Sequence, residues 1–395
     1  MTVSHCSLGR PRPRGSLSLV CYPQLPSDTF VTRFRCLLKR WFMRYHRDFP
    51  WRGTRDPYAI WVSEIMLQQT RATTVVPYYQ RFLRRFPNVQ ALAQARVEEV
   101  LQLWQGLGYY RRALALHEAA RILWREYGGQ FPRHPDLLQR LPGIGRYTAH
   151  AVLSQAFDLP WPVVEANSAR VYARLFACPE PLTSSRVQRW LWQVAKRLLP
   201  SRWPGLFNQA VMELGATVCL PQQPRCDQCP VATRCQAYRQ RRVADYPVPT
   251  SPRIIREVAE VAVLIHDGNR WLALQRAPDA DRWPCLWEFP HAEIAPREPL
   301  VDAARRIAQE LTSLCVAPSH CLGQICFTVT RFRIHMTAWC ASAQDLEVAL
   351  SPLHQAARWL PLRQLRRFAW STPHRRLLTL LDNWPEPPRS PITST

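Results

Sequence analysis

The sequence has almost no lysine: of its 52 basic residues, only Lys39 and Lys196 are lysines. Acidic residues are also few, 29 in 395 residues, so the formal net charge is +23. Arginine stays protonated and can form bidentate hydrogen bonds to a phosphate group. This charge therefore favours a nucleic acid partner over a membrane surface. A merely basic, soluble surface is the alternative. No apolar run is long enough to cross a bilayer, and we expect no membrane partner.

The first residues carry little structural signal. Residues 1–28 have no apolar period and are predicted to be a disordered tail. Arg10, Arg12 and Arg14 precede a short apolar stretch, residues 17–21, which loosely imitates a signal peptide, but prolines follow closely. We interpret this segment as a tail or a misassigned start. We therefore expect a cytoplasmic protein, associated with the nucleoid if its source is bacterial.

The pattern then changes from helical to mixed. Within residues 29–238, apolar residues recur three and four positions apart, and strand patterns are nearly absent. The clearest helical segments are residues 57–71, 97–103, 111–127 and 188–199. Residues 239–256 are basic and contain proline, which is typical of a linker.

Residues 257–385 are predicted to form an α+β domain, followed by a tail at 386–395. Two strand-like runs joined by Asp267-Gly268-Asn269 predict a β-hairpin. The predicted elements are strands at 258–266 and 270–275, a helix at 299–314, a pair of strands within 322–340 and a short helix at 372–381.

Four of the 13 cysteines fall within seventeen residues, as Cys219-x6-Cys226-x2-Cys229-x5-Cys235. In a cytosolic chain such clustering indicates metal ligation before disulfides. Four thiolates suit either a 4Fe–4S cluster or tetrahedral zinc. Only one pair is close, whereas zinc sites usually have two such pairs, so the residues favour the cluster without excluding zinc. Four unrelated thiols are a third possibility.

Leu-Pro-Gly-Ile-Gly-Arg-Tyr-Thr-Ala, residues 141–149, is a short glycine turn between two helical segments. We expect Gly143 and Gly145 to adopt positive φ and to expose backbone N–H groups at the start of the next helix. Such a group of donors binds a phosphate without reading base sequence. A tight helix–helix turn with no ligand would have the same glycine pattern.

Glu64 is the one acid in the apolar segment Trp-Val-Ser-Glu-Ile-Met-Leu-Gln-Gln-Thr, residues 61–70. Burial among Trp61, Ile65 and Leu67 would raise the pKa of this carboxyl group, which suits a general acid. The alternative is a helix acid held in a salt bridge.

Together these motifs resemble the helix-hairpin-helix, iron–sulfur DNA glycosylases, and residues 61–70 resemble the catalytic helix of the MutY-type adenine glycosylases. The resemblance implies a mainly α glycosylase domain in which Cys219, Cys226, Cys229 and Cys235 hold a structural 4Fe–4S cluster. The cluster loop would present Arg225 and Arg234 to DNA phosphates. Glu64 would protonate N7 of adenine, and Gln69 would wedge into the base stack.

The resemblance also indicates that this chain lacks the strand-cleavage reaction of bifunctional glycosylases. Bifunctional glycosylases carry a lysine nucleophile two residues after the second glycine of the hairpin, where this chain has Tyr147. A phenol cannot form the Schiff base that leads to strand cleavage. Neither Lys39 nor Lys196 lies in a matching motif, so we expect a monofunctional enzyme.

The second catalytic carboxylate departs from the family. An Asp-Gly-Asn sequence is expected at the start of a helix, its aspartate stabilising the positive sugar. This chain has Glu165, Ala166 and Asn167 there. Glu165 keeps the charge but is one methylene longer, and Ala166 lacks the backbone freedom of glycine. We expect Glu165 to stabilise the sugar, with reduced or altered activity.

Several further positions match DNA-contacting residues of the family. Tyr109, in Gly-Leu-Gly-Tyr-Tyr, matches a tyrosine inserted beside 8-oxoguanine, although a glycine-loop tyrosine pair is otherwise usually packing. Trp51, Arg52 and Gln209 match positions near the flipped adenine, where aromatic and amide groups suit a base-binding pocket.

The C-terminal domain resembles the Nudix-like module with which MutY proteins recognise 8-oxoguanine. Its helix offers Glu310 among arginines instead of the acidic magnesium motif of a Nudix hydrolase, so we expect no hydrolysis by this domain. The family's Phe-Ser-His reading loop is replaced by Val329, Thr330 and Arg331. An arginine can donate to O6 or N7 of a purine, but specificity for 8-oxoguanine does not follow from it.

The leading hypothesis is a monomeric, monofunctional glycosylase that excises adenine opposite 8-oxoguanine or guanine in double-stranded DNA, for base-excision repair. One alternative is a related iron–sulfur glycosylase for another mismatched base, such as thymine or uracil. The other is a lesion-binding protein with weakened catalysis, suggested by Glu165, Ala166 and the altered reading loop.

Overall fold

The computed structural model describes residues 22–250 and 254–382, which form two compact units. Among the described residues, the first unit holds Tyr22–His46, Val164–Leu199 and Gln209–Thr250. The second holds Arg47–Val163, Pro200–Asn208 and Ile254–Asp382. Most of the predicted N-terminal tail (residues 1–21) and the predicted tail at 386–395 lie outside the described residues. No helix in the described ranges is both long and apolar enough to span a membrane.

The chain up to residue 250 is helical, as predicted, with no strand among its described residues. Its α-helices are α1 (Asp28–Tyr45), α2 (Pro57–Leu67), α3 (Ala72–Arg85), α4 (Val89–Ala93), α5 (Val97–Trp104), α6 (Arg111–Tyr127), α7 (Pro135–Leu138), α8 (Arg146–Phe157), α9 (Ala166–Leu175), α10 (Ser185–Leu198), α11 (Pro204–Thr217) and α12 (Gln236–Arg239). Single 3-10 turns lie at Cys226–Gln228, Ala232–Arg234 and Val243–Asp245.

The ends of α2 and α6 follow from local chemistry. The Asp56 carboxylate accepts the N–H groups of Tyr58 and Ala59, and Pro57 occupies the first turn, where its missing N–H costs nothing. The prediction extended α2 to residue 71, but it ends at Leu67, and Gln69 has a φ of 59°. Helix α6 has the predicted bounds and ends at Gly128, which caps it in the left-handed conformation.

The C-terminal region is an α+β domain, which confirms the predicted class. Its elements are β1 (Arg256–His266), β2 (Trp271–Arg276), β3 (Trp287–Glu288), β4 (His291–Glu293), α13 (Leu300–Thr312), β5 (Val316–Val329), β6 (Phe332–Ala343), β7 (His354–Leu360), α14 (Leu362–Leu365) and α15 (Thr372–Leu380). The strands form one sheet of order β3-β2-β1-β6-β5, in which β4 also pairs with β1 and β7 with β2.

The predicted hairpin between β1 and β2 is confirmed: His266 pairs with Trp271, and Gly268 turns the chain at a φ of 102°. Strand β1 pairs in parallel with β6, whereas the other pairs are antiparallel. Both faces of the sheet are covered. One core includes side chains of β1 and α15, and the other includes the alternate side chains of β1 with α13.

Candidate active site and DNA-contacting elements

Glu64 lies in the middle of α2, where nine of the eleven residues are buried, and is itself 5% exposed. Its carboxylate receives two hydrogen bonds from α8. The Tyr147 hydroxyl donates to Oε2 at 2.7 Å, and the Gln155 amide donates to Oε1 at 2.8 Å. Burial of Glu64 in an apolar helix is therefore as predicted. Both oxygens are held in one orientation by neutral side chains of a neighbouring helix.

Gln155 was not identified from the sequence. It lies eight residues after Tyr147 on α8, a spacing of about two helical turns, so the two side chains share a helix face. That spacing was the available signal. It identifies a polar pair on one face, but only the packing of α2 on α8 shows that the pair meets Glu64.

The glycine turn before α8 follows the prediction at one position only. Gly143 has a φ of 74°, and a Cβ there would lie 2.8 Å from that of Ala115, so both conformation and space favour glycine. Gly145 has a φ of −86°, which corrects the expectation of a positive value. The reason is its place as the N-cap of α8, because a cap residue takes an extended backbone. Both glycines are exposed.

Glu165 caps α9 by accepting backbone N–H groups. Its Oε1 accepts from Ser168 at 2.7 Å and its Oε2 from Asn167 at 2.8 Å, while Ser168 Oγ accepts the N–H of Glu165. Burial raises the pKa of this carboxyl group above its ordinary value, although these N–H donors oppose the shift. Ala166 is the first helical residue and has no positive φ, so the helix does not need a glycine there.

A chain of hydrogen bonds leads from Glu165 toward the cysteine loop. The Asn167 amide donates to Glu165 Oε2 at 3.1 Å and accepts from the Arg170 guanidinium at 2.7 Å. Arg170 then donates to the carbonyl oxygen of Cys219 at 2.7 Å. Arg174, one turn further along α9, donates to the Cys219 sulfur at 3.4 Å. Both arginines are buried, and neither was identified from the sequence.

The four clustered cysteines are half-buried free thiols that line one cavity together with Arg174 and Arg225. Sulfurs around a single zinc would lie about 3.8 Å apart, from a Zn–S distance of about 2.3 Å. Among residues 219–235, all of which are described, no three cysteine sulfurs lie within 4.8 Å of one another. From the same loop, Arg225 is exposed and Arg234 is half-buried.

Arg112 joins the two loops that carry Gln69 and Tyr109. Its guanidinium donates to the carbonyl oxygens of Ile65 and Met66 at the end of α2, and to that of Gly108 at 3.1 Å. Gln69 and Tyr109 are both exposed, with φ values of 59° and 48°. The structure thus brings both predicted DNA-contacting side chains to the surface on backbone held by one arginine. Burial lowers the pKa of Arg112 to about 10, so it stays charged at neutral pH.

The other predicted DNA-contacting residues, Trp51, Arg52 and Gln209, are buried or half-buried, unlike the exposed Gln69 and Tyr109. Trp51 is 6% exposed and stacks on Phe49 at 5.0 Å, so it packs in a core, and Arg52 lies over the same Phe49 ring. Gln209 is half-buried in α11. Lys39 and Lys196 are exposed on α1 and α10.

In the C-terminal domain, the acids on and beside α13 are bonded to arginines. Glu310 is exposed, and Arg306 binds it at 3.1 Å. The same arginine also binds Glu298 at 2.7 Å, which lowers the pKa of that carboxyl group to about 2. The acids on and beside α13 are thus paired with arginine.

Glu288, His291 and His374 form a buried cluster with ligand atoms within 4.8 Å of one another. Their hydrogen bonds argue against a metal there. The two ring nitrogens of His291 lie 2.9 Å from Glu260 and 3.4 Å from Glu288. His374 Nδ1 accepts the N–H of Phe289 at 3.1 Å, which places the proton of its neutral ring on Nε2 and leaves no lone pair there. The cluster is a network of ion pairs within the domain.

Comparison with known proteins matches both regions. A family model described as HhH-GPD superfamily base excision DNA repair protein covers residues 62–197, and a NUDIX domain model covers residues 260–380. The adenine DNA glycosylase of Mus musculus is 34% identical over 409 residues, covering 89% of this chain and 78% of that protein. That of Homo sapiens is 35% identical over 401 residues, covering 87% and 72%. A thermostable thymine-DNA glycosylase structure covers 54% of this chain and 98% of its own, at 30% identity and a TM-score of 0.49.

Proposed function

Because the chain belongs to the adenine DNA glycosylase family, we propose that it excises adenine from double-stranded DNA where adenine faces 8-oxoguanine or guanine. The observation that carries this proposal is Glu64. Its carboxyl group is almost fully buried, and Tyr147 and Gln155 fix its orientation. A buried carboxyl group with a fixed orientation is suited to deliver a proton to a leaving base.

In the proposed reaction, Glu64 donates a proton to N7 of the flipped adenine, which makes the base a better leaving group. The bond between C1′ and N9 breaks, and adenine departs with the bonding electrons. The sugar then carries positive charge, which the carboxylate of Glu165 stabilises. Water adds at C1′ and releases a proton to solvent, which leaves a neutral abasic site. The N–H donors of α9 hold Glu165 in place while adding no formal positive charge of their own.

Strand cleavage is not part of the proposed reaction. Tyr147 occupies the position of the lysine nucleophile, and its hydroxyl instead donates to Glu64. A phenol forms no imine with the abasic aldehyde. The two lysines lie on the surface of α1 and α10, outside any matching motif.

We infer that the four clustered thiolates hold a 4Fe–4S cluster, because they line one cavity and follow the cysteine spacing by which the chain resembles the iron–sulfur glycosylases. The role proposed for the cluster is structural, with Arg225 and Arg234 of its loop facing DNA phosphates. The protein is proposed to act as a monomer.

A panel of duplexes tests the function. Purified protein is incubated with duplexes containing A:8-oxoguanine, A:G, T:G and U:G pairs, with and without a subsequent alkali treatment. We expect strand breaks only after alkali, and only with the two adenine-containing mispairs.

Breaks at T:G or U:G would instead indicate a glycosylase for another base. Breaks without alkali would contradict the argument from Tyr147. Tight gel-shift binding without base release from any duplex would indicate a lesion-binding protein. Glu64→Gln serves as the inactive control, so that trace contaminating glycosylase is recognised.

A further inference from the structure

The second compact unit contains a cavity of about 970 Å³, large enough for a nucleotide. Helical-region residues on one side include Gln69, Tyr109 and Arg112. Residues of the Nudix-like domain on the other side include Arg282, Trp283 and Thr330. Five arginines line the cavity (Arg111, Arg112, Arg256, Arg282 and Arg376) against three acids (Glu260, Asp281 and Glu293). This excess of positive charge suits a nucleic acid.

Four non-glycine residues with positive φ line this one cavity. Gln69 and Tyr109 have φ values of 59° and 48°, and Trp283 and Thr330 both have 53°. A left-handed backbone is strained at such residues and tends to occur at ligand-binding sites. Gln69 and Tyr109 are the proposed DNA-contacting residues of the helical region. Trp283 and Thr330 are their counterparts in the Nudix-like domain.

The turn between β5 and β6 contributes little that could read a base. Arg331 is exposed, its guanidinium lies 5.2 Å from the centre of the Phe332 ring, and it does not line the cavity. The turn presents Val329 and Thr330 to the cavity instead. Phe327 and Phe332, which flank the turn, also line the cavity, but neither carries a charge. The loop between β2 and β3 supplies an aromatic surface and a cationic donor side by side, as Trp283 and Arg282.

Trp283 rests on a rigid base. Its ring contacts His374 at 5.7 Å, His291 at 5.9 Å and Phe327 at 6.2 Å between ring centres. His291 belongs to the buried ion-pair network that includes Glu260 and Glu288, and the buried His374 ring lies 4.7 Å from the His291 ring between centres. Because these neighbours are themselves fixed, the indole cannot retreat into the domain, and it stays half-buried at the cavity wall.

Arg282 is anchored in the same way. One nitrogen of its guanidinium lies 3.2 Å from Glu260 Oε1, and the side chain is 38% exposed. An arginine has five N–H donors, so one bond to Glu260 leaves others for a ligand. Guanine and 8-oxoguanine both carry the O6 acceptor that arginine recognises.

We propose that Trp283 is the stacking surface and Arg282 the donor to O6 with which the Nudix-like domain receives the purine opposite the target adenine. The pair takes over the task that the β5–β6 turn cannot perform in this chain. This assignment rests on the proposed function, since it presumes a duplex with an adenine mispair.

Binding, measured without catalysis, tests the assignment. The holoprotein is titrated with duplexes carrying 2′-fluoroadenosine, whose glycosidic bond resists cleavage. The opposite nucleotide is 8-oxoguanine, guanine, 2-aminopurine or an abasic tetrahydrofuran. Stacking on an aromatic side chain is worth about 1–3 kcal/mol per base, so Trp283→Leu should weaken binding opposite 8-oxoguanine or guanine by about tenfold. Opposite the tetrahydrofuran it should change little, because no base is present.

Two further variants narrow the interpretation. Trp283→Phe keeps an aromatic face and should restore most of the affinity. Arg282→Gln should weaken binding several-fold opposite 8-oxoguanine and guanine, about as expected for one lost hydrogen bond, but not opposite 2-aminopurine, which lacks O6. Trp359→Leu, a half-buried tryptophan of the same domain that does not line the cavity, is the matched control.

Equal weakening by Trp283→Leu on duplexes with and without the opposite base would mean a merely structural role and would overturn the assignment. Unchanged binding to all duplexes would overturn it as well. Failure of the proposed function is a separate result: a wild-type protein that excises no adenine but shows the base-dependent loss would still support Trp283 as the stacking surface.

Discussion

Glu165 in the helical region is half-buried and Glu288 in the Nudix-like domain is fully buried, and the groups bonded to their carboxylates differ in charge. Glu165 accepts neutral N–H groups at the start of α9 and is joined to Arg170 through the Asn167 amide. Burial raises the pKa of Glu165 above the ordinary value, although Arg170 opposes the shift. Glu288 lies 2.9 Å from both Arg276 and His354. Burial alone would raise the pKa of Glu288, yet the nearby histidines hold it well below the ordinary value.

The difference indicates what each carboxylate can do. A charge already compensated by cations adds little to the stabilisation of a new positive charge, so Glu288 is suited to hold strands together. A charge held by dipoles keeps most of its field, which can then act on a cationic sugar. A raised pKa is the cost of that arrangement, because the carboxylate is easier to protonate.

The largest effect is expected at the buried Glu64, which serves as proton donor in the proposed reaction. Glu64→Gln keeps the size of the side chain and its capacity to accept from Tyr147, but it removes the proton. We expect the single-turnover rate of adenine excision to fall by about a thousandfold, within the usual range for a lost general acid.

The matched control for Glu64→Gln is Glu118→Gln on α6, where a partly exposed acid pairs with Arg121 at the surface. It should excise adenine at the wild-type rate. A Glu64→Gln rate within tenfold of the wild type would remove Glu64 from the proposed chemistry and would leave Glu165 as the better candidate.

The sequence predicted local features more completely than contacts between elements. Helix α6 has its predicted bounds, and the β1–β2 hairpin follows from Asp267-Gly268-Asn269, because both depend on neighbouring residues. The pairing of β1 with β6 joins residues such as Val258 and Ile334, which are far apart in the chain. The hydrophobic pattern identifies each strand but does not predict which strand it pairs with.

The same limit applies to the candidate site. The position of Glu64 in an apolar helix could be predicted from the sequence, whereas its contact with Gln155 depends on how α2 packs on α8. Arg112 was missed because nothing in a surface-like Arg-Arg pair indicates that one member binds several carbonyl oxygens. Trp283 was not identified because its left-handed backbone conformation depends on tertiary contacts, which a sequence pattern does not show.

A smaller effect is expected at Glu165, where charge and placement can be separated. Glu165→Gln keeps the length but loses the charge, and we expect about a hundredfold slower excision, as for other lost electrostatic groups. Glu165→Asp keeps the charge and restores the shorter side chain of the family. Aspartate is also a good N-cap, so α9 should persist, and excision should equal or exceed that of the wild type.

The pH dependence provides a second measurement on Glu165. Because its pKa is raised, the stabilising charge is present above that pKa and is lost as the pH falls through it, so excision should decline on the acid side. The residual excision rate of Glu165→Gln should not decline in this way as the pH falls. If Glu165→Gln and Glu165→Asp both match the wild type at every pH, Glu165 is not the group that stabilises the sugar.

The smallest effect concerns the ion pairs around Glu288 and tests whether this carboxylate stabilises the Nudix-like domain. The carboxylates of Glu288 and Glu260 raise the pKa of His291 to about 9, although burial opposes this. A raised pKa in the folded state means that the stabilisation is complete below the ordinary value of 6.5 and is lost as the pH rises through about 9. We expect the domain to lose about 2 kcal/mol of unfolding free energy between pH 7 and 9.

His374 has the opposite sign, since burial lowers its pKa to about 3 and its neutral form is favoured by folding. Its contribution is therefore lost as the pH falls below 6.5, so the domain should be most stable near that pH. Hydrogen–deuterium exchange of β1, β2 and β6 in urea measures this domain separately from the helical region. In His291→Asn the decline between pH 7 and 9 should disappear. A variant that keeps the wild-type slope would show that His291 is not the titrating group and that Glu288 owes its ionised state to Arg276 and His354.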